Sequence, residues 1–146
     1  MDRVVSSEVV TDVPAERLFA LVADPARQPE WDGNDNLARA AEGQRVHGVG
    51  DVFTTTLTMG ADRENHVVEF EEGRRIAWRP SEPGGPLPGH LWRWEFEPLD
   101  DGRTRVRHTY DWLQLTDESR HERARNTTPE KLRASVDRLV ALGRSG

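Results

Sequence analysis

The N-terminal part of the chain changes from an alternating to a helical pattern of apolar residues. Residues 3–11 alternate loosely and are rich in Val and Ser, which is typical of a β-strand. Pro14 suits the first position of a helix, and apolar residues follow it at helical spacing until Asp24, which precedes a proline and is pushed out of the α region. Residues 26–31 fit one more helical turn, and residues 32–36 are turn formers. The pattern predicts one strand followed by two short helices.

The middle of the chain consists of strand-like runs separated by glycine. Six predicted strands cover residues 44–49, 51–59, 64–70, 74–80, 90–98 and 103–113. The order strand, helices, six strands and final helix requires an antiparallel sheet whose one apolar face is covered by helices. The fold class predicted from the residues alone is therefore α+β.

The last predicted element is a helix with a cap at its start. Thr128 can cap this helix, and Pro129 suits its first position. Its apolar stripe is formed by Leu132, Val136, Leu139 and Val140. This stripe lies before Gly143, and we expect a helix of about four turns that closes the chain and helps to cover the apolar face of the sheet.

Two loops, residues 71–73 and 100–102, fit three-residue hairpin connections that end in a left-handed glycine. In the first hairpin the predicted pairs are Phe70–Arg74, Val68–Ile76 and His66–Trp78. In the second they are Leu99–Arg103, Phe96–Val106, Trp94–His108, Trp92–Tyr110 and His90–Trp112. Because side chains alternate between faces, this register predicts one aromatic inner face and one charged outer face, with Glu97 opposite Arg105.

Composition and charge exclude several classes of protein. The chain has no cysteine, which rules out disulfides and thiolate chemistry. Its formal net charge is −6 and its acidic residues are interspersed with arginine, so we expect no nucleic-acid partner. Mean hydropathy is −0.77 and no apolar run is long enough for a membrane helix, so we expect no membrane span. No secretory signal precedes the first strand, which makes a soluble, cytoplasmic protein the default expectation.

Several short motifs resemble one known superfamily. They are Pro14-Ala15-Glu16 with Leu18-Phe19, Asp24-Pro25, Pro29-Glu30-Trp31, the strands ending near Trp112, and Pro129-Glu130-Lys131-Leu132. Together with the order of elements, they resemble the START-like polyketide cyclase/dehydrase superfamily, also called SRPBCC or the Bet v 1-like helix-grip fold. The resemblance covers essentially the whole chain and implies a single domain over residues 1–146. It implies a seven-stranded curved antiparallel sheet wrapped around a long C-terminal helix, with two short helices between strands 1 and 2.

The resemblance also implies a cavity for hydrophobic or aromatic molecules between the sheet and the last helix. The tight turns at Gly73 and Gly102 lie at one end of the meander, so we expect the mouth at the other end. Residues 81–89 connect two strands there. Gly84 and Gly85 would provide a hinge and Leu87 an apolar tip, so the segment is a candidate gate. The alternative is an ordinary surface loop.

The candidate ligand contacts are inner-face residues near the expected mouth. They are Thr55, Met59, His66, Trp78, His90, Trp92, Tyr110 and Trp112. Indole faces offer a large apolar area for a planar ligand, while the alternative for the tryptophans is core packing. Trp31 is interpreted as a packing residue and Asp32 as a turn former.

The weak candidates for acid–base chemistry are His66, His90, His108 and Tyr110. The alternative for each histidine is a structural role. The histidines lack a short ligand spacing, so we expect neither a metal nor another cofactor. The first hypothesis is a cyclase-like protein that binds a small hydrophobic molecule, as a monomer or homodimer. The alternatives are a true polyketide cyclase or dehydratase that uses a His or Tyr, and a lipid-carrier or partner-binding module.

Overall fold

A seven-stranded antiparallel sheet organises residues 3–145, which are the residues that the computed structural model describes. The strands are β1 (Val4–Thr11), β2 (Leu37–Arg39), β3 (Val52–Leu57), β4 (Asp62–Glu71), β5 (Arg75–Ser81), β6 (Leu91–Pro98) and β7 (Thr104–Asp111). Their spatial order is β1-β7-β6-β5-β4-β3-β2, so β1 and β2 form the two edges. The predicted α+β class and the seven-stranded sheet are confirmed.

Helices follow β1 and β7 in the chain and cover the sheet. They are α1 (Ala15–Ala23), a 3-10 turn (Pro25–Arg27), α2 (Gln28–Trp31), a second 3-10 turn (Glu118–Arg120), α3 (His121–Arg125) and α4 (Pro129–Ser145). The short helices after β1 and the long final helix are as predicted. The hydroxyl of Thr128 accepts a hydrogen bond from the N–H of Lys131 at 3.3 Å, as expected of the cap. Helix α4 continues past Gly143, and α3 with its preceding turn was not predicted.

The prediction of a strand at residues 44–49 is wrong. The partner of β3 is instead β2, in which Leu37 lies opposite Leu57. Gln44 explains the difference, because its side chain bonds the backbone of Thr54 in both directions. Its Nε2 donates to the carbonyl of Thr54 at 3.0 Å, and its Oε1 accepts from the N–H of Thr54 at 2.8 Å. A side-chain amide thus replaces the strand partner at this point of the edge.

The register predicted for the hairpin of β4 and β5 is also wrong. Phe70 lies opposite Ile76 rather than Arg74, because the loop begins one residue later and Gly73 (φ 77°) lies in its middle. An irregularity between Val67 and Glu69 then shifts the pairing again. Val67 is therefore opposite Trp78 and buried on the inner face.

The hairpin of β6 and β7 follows the prediction. Phe96 lies opposite Val106, Trp94 opposite His108 and Trp92 opposite Tyr110. Gly102 has the expected positive φ of 85°. The outer face carries the predicted charges, including an ion pair of 2.5 Å between Arg105 and Glu97.

The apolar core fills the end of the sheet that carries the tight hairpin loops. Phe19 of α1 makes edge-to-face contacts with Phe70 and Phe96, at centroid distances of 5.6 and 6.1 Å. Helix α4 contributes Val136 and Leu139, which are fully buried in the same cluster. Helices α1 and α4 thus cover this half of the inner face. The other half of the inner face is covered by other elements.

Gly33 allows the loop after α2 to approach the backbone of α4. Its N–H donates to the hydroxyl of Ser135 at 2.7 Å. A Cβ at this position would lie 2.5 Å from the nitrogen of Ser135 and 2.6 Å from the carbonyl oxygen of Lys131. Only glycine therefore fits here, and the loop is held against the helix.

We expect Gly33→Ala to lower the free energy of unfolding by about 1–3 kcal/mol, because the added methyl group must push two backbone segments apart. Gly48→Ala is the matched control, since a Cβ there meets no atom within 4 Å. Urea denaturation of the two variants checks the prediction. Equal stability of both variants would contradict the close approach.

Candidate functional site

A cavity of about 150 Å³ opens at the end of the sheet opposite the Gly73 and Gly102 loops. Its walls come from β3 to β7, from α2 with the following loop and β2, and from the segment of α3 that leads to α4. The predicted position of the mouth is therefore correct. Residues of α4 do not line the cavity, because the core between α4 and the sheet is filled by Trp31, which packs edge-on against Trp94 at 5.2 Å. The expectation that α4 itself forms the wall is corrected.

One wall of the cavity is aromatic. Trp78 and Trp92 lie opposite each other on β5 and β6, and both line the cavity. Trp92 also contacts Tyr110 of β7, with ring centroids 4.4 Å apart. These three candidates lie where the sequence predicted them. A planar ring would meet large apolar surfaces on this side.

His108 forms the floor of the cavity and stacks on tryptophan. Its ring lies 3.9 Å from that of Trp94 and 5.6 Å from that of Trp92, nearly parallel to both. Its Nδ1 is 3.0 Å from the carbonyl oxygen of Arg93. A carbonyl can only accept, so Nδ1 carries the proton and Nε2 carries the lone pair. Burial lowers the pKa of His108 to about 3, so the ring is neutral at pH 7.

His90 and Tyr110 lie side by side in the wall, with ring centroids 6.1 Å apart. Burial lowers the pKa of His90 to about 4, helped by nearby arginines, and burial raises the pKa of Tyr110 to about 12. Both groups are therefore neutral at pH 7. The Nδ1 of His90 is buried and has no hydrogen-bond partner among residues 3–145. A buried polar atom of this kind is costly unless something binds it.

Thr55 and Asn65 add a polar patch on β3 and β4. The amide nitrogen of Asn65 donates to the hydroxyl of Thr55 at 3.1 Å and to the carbonyl of Phe53 at 3.2 Å. Both polar residues are buried and line the cavity. Thr55 was predicted, whereas Asn65 was missed because the predicted register turned His66 inward in its place.

The rim of the cavity carries charge. Arg63 of β4 and Arg123 of α3 both line it. Asp32 lines it too, but its carboxylate accepts hydrogen bonds from the backbone N–H groups of Asn34, Asn36 and Leu37. The prediction of Asp32 as a turn former is thus confirmed. Sequence patterns gave no sign of the rim, since Arg63 and Arg123 are 60 residues apart and only the fold brings them together.

Met59 and His66 do not line the cavity, contrary to the prediction. Met59 lies in the turn after β3 and is 68% exposed. His66 lies opposite Arg79, on the outer face, where its Nε2 is 3.3 Å from the hydroxyl of Ser81. The shifted register of β4 accounts for His66, and the early end of β3 at Leu57 accounts for Met59.

Trp112 is buried but does not line the cavity. It packs in a second cluster with Tyr110, Leu115, Ala124 and Leu132, and the guanidinium of Arg3 lies over its ring at 4.9 Å. The predicted position of Trp112 is wrong because β7 ends at Asp111. The predicted pairing of His90 with Trp112 therefore does not form. Of the two, only His90 reaches the cavity wall.

The candidate gate, residues 81–89, connects β5 to β6 at the expected end. The N–H of Gly84 donates to the carboxylate of Glu64 at 2.8 Å, and Gly84 has a φ of 71°. The N–H of Gly85 donates to the carbonyl oxygen of Glu82 at 2.9 Å. Leu87 is 43% exposed and is not part of the cavity wall. The loop leads directly into His90, but a gating role stays a prediction.

Residues 3–145 contain neither a cluster of metal ligands nor a membrane-spanning helix. No group of three or more His, Asp and Glu side chains in that range is arranged to hold a metal ion. No helix in that range combines the length and apolar character needed to cross a bilayer.

Comparison with known proteins gives one family match and several structural neighbours. The family model described as "Polyketide cyclase / dehydrase and lipid transport" matches residues 2–143. Uncharacterized protein Rv0088 of Mycobacterium tuberculosis is 35% identical over 111 residues, which are 74% of this chain and 47% of that protein. The chain therefore spans about half the length of the curated relatives it matches.

Two solved structures illustrate the shared fold. Protein MLL2253 of Mesorhizobium loti has a TM-score of 0.69 and 18% identity, with 99% of each chain covered. DynU16, a protein in the dynemicin biosynthetic locus, has a TM-score of 0.64 and 18% identity, over 97% of this chain and 47% of its own. At such identities the likeness concerns the fold.

Burial of neutral His108 predicts a pH dependence of stability. The pKa of His108 is lower in the folded than in the unfolded protein. The free energy of unfolding is therefore highest above about pH 6.5 and decreases as the pH falls toward about 3. Over this window the free energy of unfolding should fall by about 1 kcal/mol per pH unit for this group. His108→Phe keeps an aromatic ring in the stack and should flatten the slope between about pH 6.5 and 5.

The matched control is His47→Phe, since His47 is exposed. Denaturant unfolding of the wild type and both variants at several pH values measures the slopes. A slope in His108→Phe as steep as that of the wild type would contradict a buried neutral histidine.

Proposed function

Because the chain belongs to the polyketide cyclase/dehydrase and lipid transport family, we propose that it binds a compact aromatic molecule with hydroxyl or carbonyl groups in its cavity. The observation that carries the proposal is the combination of an aromatic wall with neutral polar groups around one cavity. Trp78 and Trp92 supply the apolar surface, while His90, His108 and Tyr110 supply hydrogen-bonding atoms. Ligand sites commonly pair such surfaces with a few fixed polar groups.

The unpartnered Nδ1 of His90 supports a ligand with a hydroxyl or carbonyl group. A buried nitrogen without a hydrogen bond costs about 1–3 kcal/mol. A ligand hydroxyl can donate to this nitrogen or accept from it, whichever ring nitrogen carries the proton. The phenol of Tyr110 and the Nε2 of His108 offer a donor and an acceptor nearby. Binding of such a ligand would therefore satisfy the Nδ1 of His90.

Cavity size supports a ligand with one ring. A volume of about 150 Å³ in a protein interior is enough for a benzene-sized molecule. A long acyl chain or several fused rings would need the cavity to open further. Polar residues also make up a large part of the wall, including Gln28, Thr55 and Asn65. Both points favour a compact, functionalised ring over a lipid.

The lowered histidine pKa values favour binding over proton transfer. A general base works best when its pKa lies near the working pH. His90 and His108 have pKa values of about 4 and about 3, so they are weak bases. A cyclase or dehydratase reaction with a histidine base would need a ligand that raises one of these values. Binding is thus the function that the geometry supports best.

Filling the cavity should abolish binding without unfolding the protein. Leu57 lines the cavity and is half-buried, so Leu57→Trp should occupy the ligand's space. Leu113→Trp is the matched control, because Leu113 is 61% exposed and lies outside the wall. We expect 4-hydroxyacetophenone to bind the wild type and the control, and to bind Leu57→Trp at least roughly tenfold more weakly.

Isothermal titration calorimetry measures the three affinities, and thermal melts confirm that the variants fold. Decanoic acid serves as the lipid-like comparison, and native mass spectrometry of protein from its own host looks for a retained molecule. Equal affinity of the wild type, Leu57→Trp and Leu113→Trp for 4-hydroxyacetophenone would contradict the proposed binding site. Binding of decanoic acid alone would favour a lipid carrier.

We further propose that residues 81–89 control access to the cavity, with Gly84 and Gly85 as the hinge and Leu87 as the tip. The loop is continuous with His90 in the wall, which supports the proposal. Leu87→Asp should change the association rate of 4-hydroxyacetophenone in stopped-flow fluorescence while the melting temperature stays the same. Leu113→Asp, which alters another exposed leucine, is the control. Unchanged rates in Leu87→Asp would leave the loop without a gating role.

A further inference from the structure

Two arginines of the cavity rim have no carboxylate partner. Within residues 3–145, no acidic side chain forms an ion pair with Arg63 or Arg123, although Arg63 donates to the backbone carbonyl of Asp62. Twelve other arginines in the same range are paired with acidic side chains, for example Arg93 with Glu69 at 2.6 Å. Pairing is therefore common in this acidic chain. Arg17 and Arg79 instead donate to backbone carbonyls outside the cavity wall, whereas Arg63 and Arg123 both line it.

The cavity wall contains no available negative charge that could neutralise these arginines. Asp32 is its acidic residue, and both of its oxygens accept hydrogen bonds from the loop that follows it. Asp32 is also only 5% exposed. The remaining polar groups of the wall, such as His90 and Tyr110, are neutral at pH 7. The rim thus has a local excess of positive charge.

Two further arginines, Arg120 and Arg79, lie close enough to act on His90. Arg120 and Arg79 act together with Arg63 and Arg123 to lower the pKa of His90, second in effect to its burial. Arg120 is itself shared between Asp117 at 3.4 Å and Glu82 at 3.9 Å, and Arg79 donates to the carbonyl of Gly89. Neither Arg120 nor Arg79 lines the cavity, which leaves Arg63 and Arg123 to meet a ligand.

We propose that the ligand carries a carboxylate on its ring, and that Arg63 and Arg123 bind this carboxylate at the mouth of the cavity. A guanidinium presents parallel N–H donors that match the two oxygens of a carboxylate. The ring then lies against Trp78 and Trp92, and a hydroxyl on its far side reaches His90 or Tyr110. The proposal rests on the proposed function and narrows it to a hydroxylated aromatic acid.

Matched probes test the charge separately from the ring. 4-Hydroxybenzoate and 4-hydroxybenzamide have the same shape, but only the first carries a negative charge. We expect 4-hydroxybenzoate to bind the wild type roughly tenfold to a hundredfold more tightly, since hydrogen bonds to charged groups are the stronger ones. Arg63→Gln and Arg123→Gln should each reduce this preference to less than roughly threefold while the affinity for the amide stays the same.

The matched control is Arg103→Gln, which removes an exposed charge that is paired with Asp101 beside the Gly102 loop, at the other end of the sheet. It should keep the wild-type preference, which separates a local contact from a change in net charge. Calorimetry gives the affinities, and melting temperatures establish that each variant is folded. Arg123 is exposed, so its replacement tests the proposal even if Arg63→Gln is unstable.

Each other outcome has a definite meaning. Equal binding of acid and amide overturns the carboxylate proposal and leaves the aromatic site intact. Tighter binding of phenyl phosphate than of 4-hydroxybenzoate also overturns it, in favour of a phosphate ligand. If none of the aromatic probes binds, the proposed function fails, and the carboxylate proposal fails with it.

Discussion

A column of stacked rings on the inner face of β6 and β7 connects the core to the cavity. In order along the sheet it consists of Phe96, Trp94, His108, Trp92 and Tyr110. The rings of Trp94, His108 and Trp92 in its centre are nearly parallel, and the ring centroids of His108 and Trp94 are 3.9 Å apart. The imidazole in the column is neutral, because burial removes the water that would solvate its charged form. The same burial that completes the core thus sets the chemistry of the cavity floor.

How far the sequence predicted this arrangement depended on the regularity of each strand pair. The β6–β7 register was predicted because a tight loop ending in Gly102 leads into unbroken alternation. The β4–β5 register was missed because the irregularity near Val67 leaves no mark in the apolar pattern. A strand was assigned to residues 44–49 because backbone pairing and the side-chain bonds of Gln44 cannot be told apart by composition. The aromatic wall was therefore predictable, whereas Asn65 and the charged rim were not.

The two halves of the inner face explain the character of the site. Helices α1 and α4 cover one half with apolar side chains such as Phe19 and Leu139. The other half is covered by a short helix, loops and the approach to α4, which bring polar side chains such as Gln28 and Thr127. Loop segments carry polar residues more readily than core helices do. Because of this division, the cavity has both aromatic and polar walls.

The side chain of Gln44 has a consequence for the molecule as a whole. An unpaired strand at the edge of a sheet is a template on which another chain can add a strand. Here β2 pairs with only the end of β3, and Gln44 occupies the donor and acceptor of Thr54 farther along. One amide therefore shields this border from intermolecular β-pairing and lowers the tendency of the folded protein to aggregate through it.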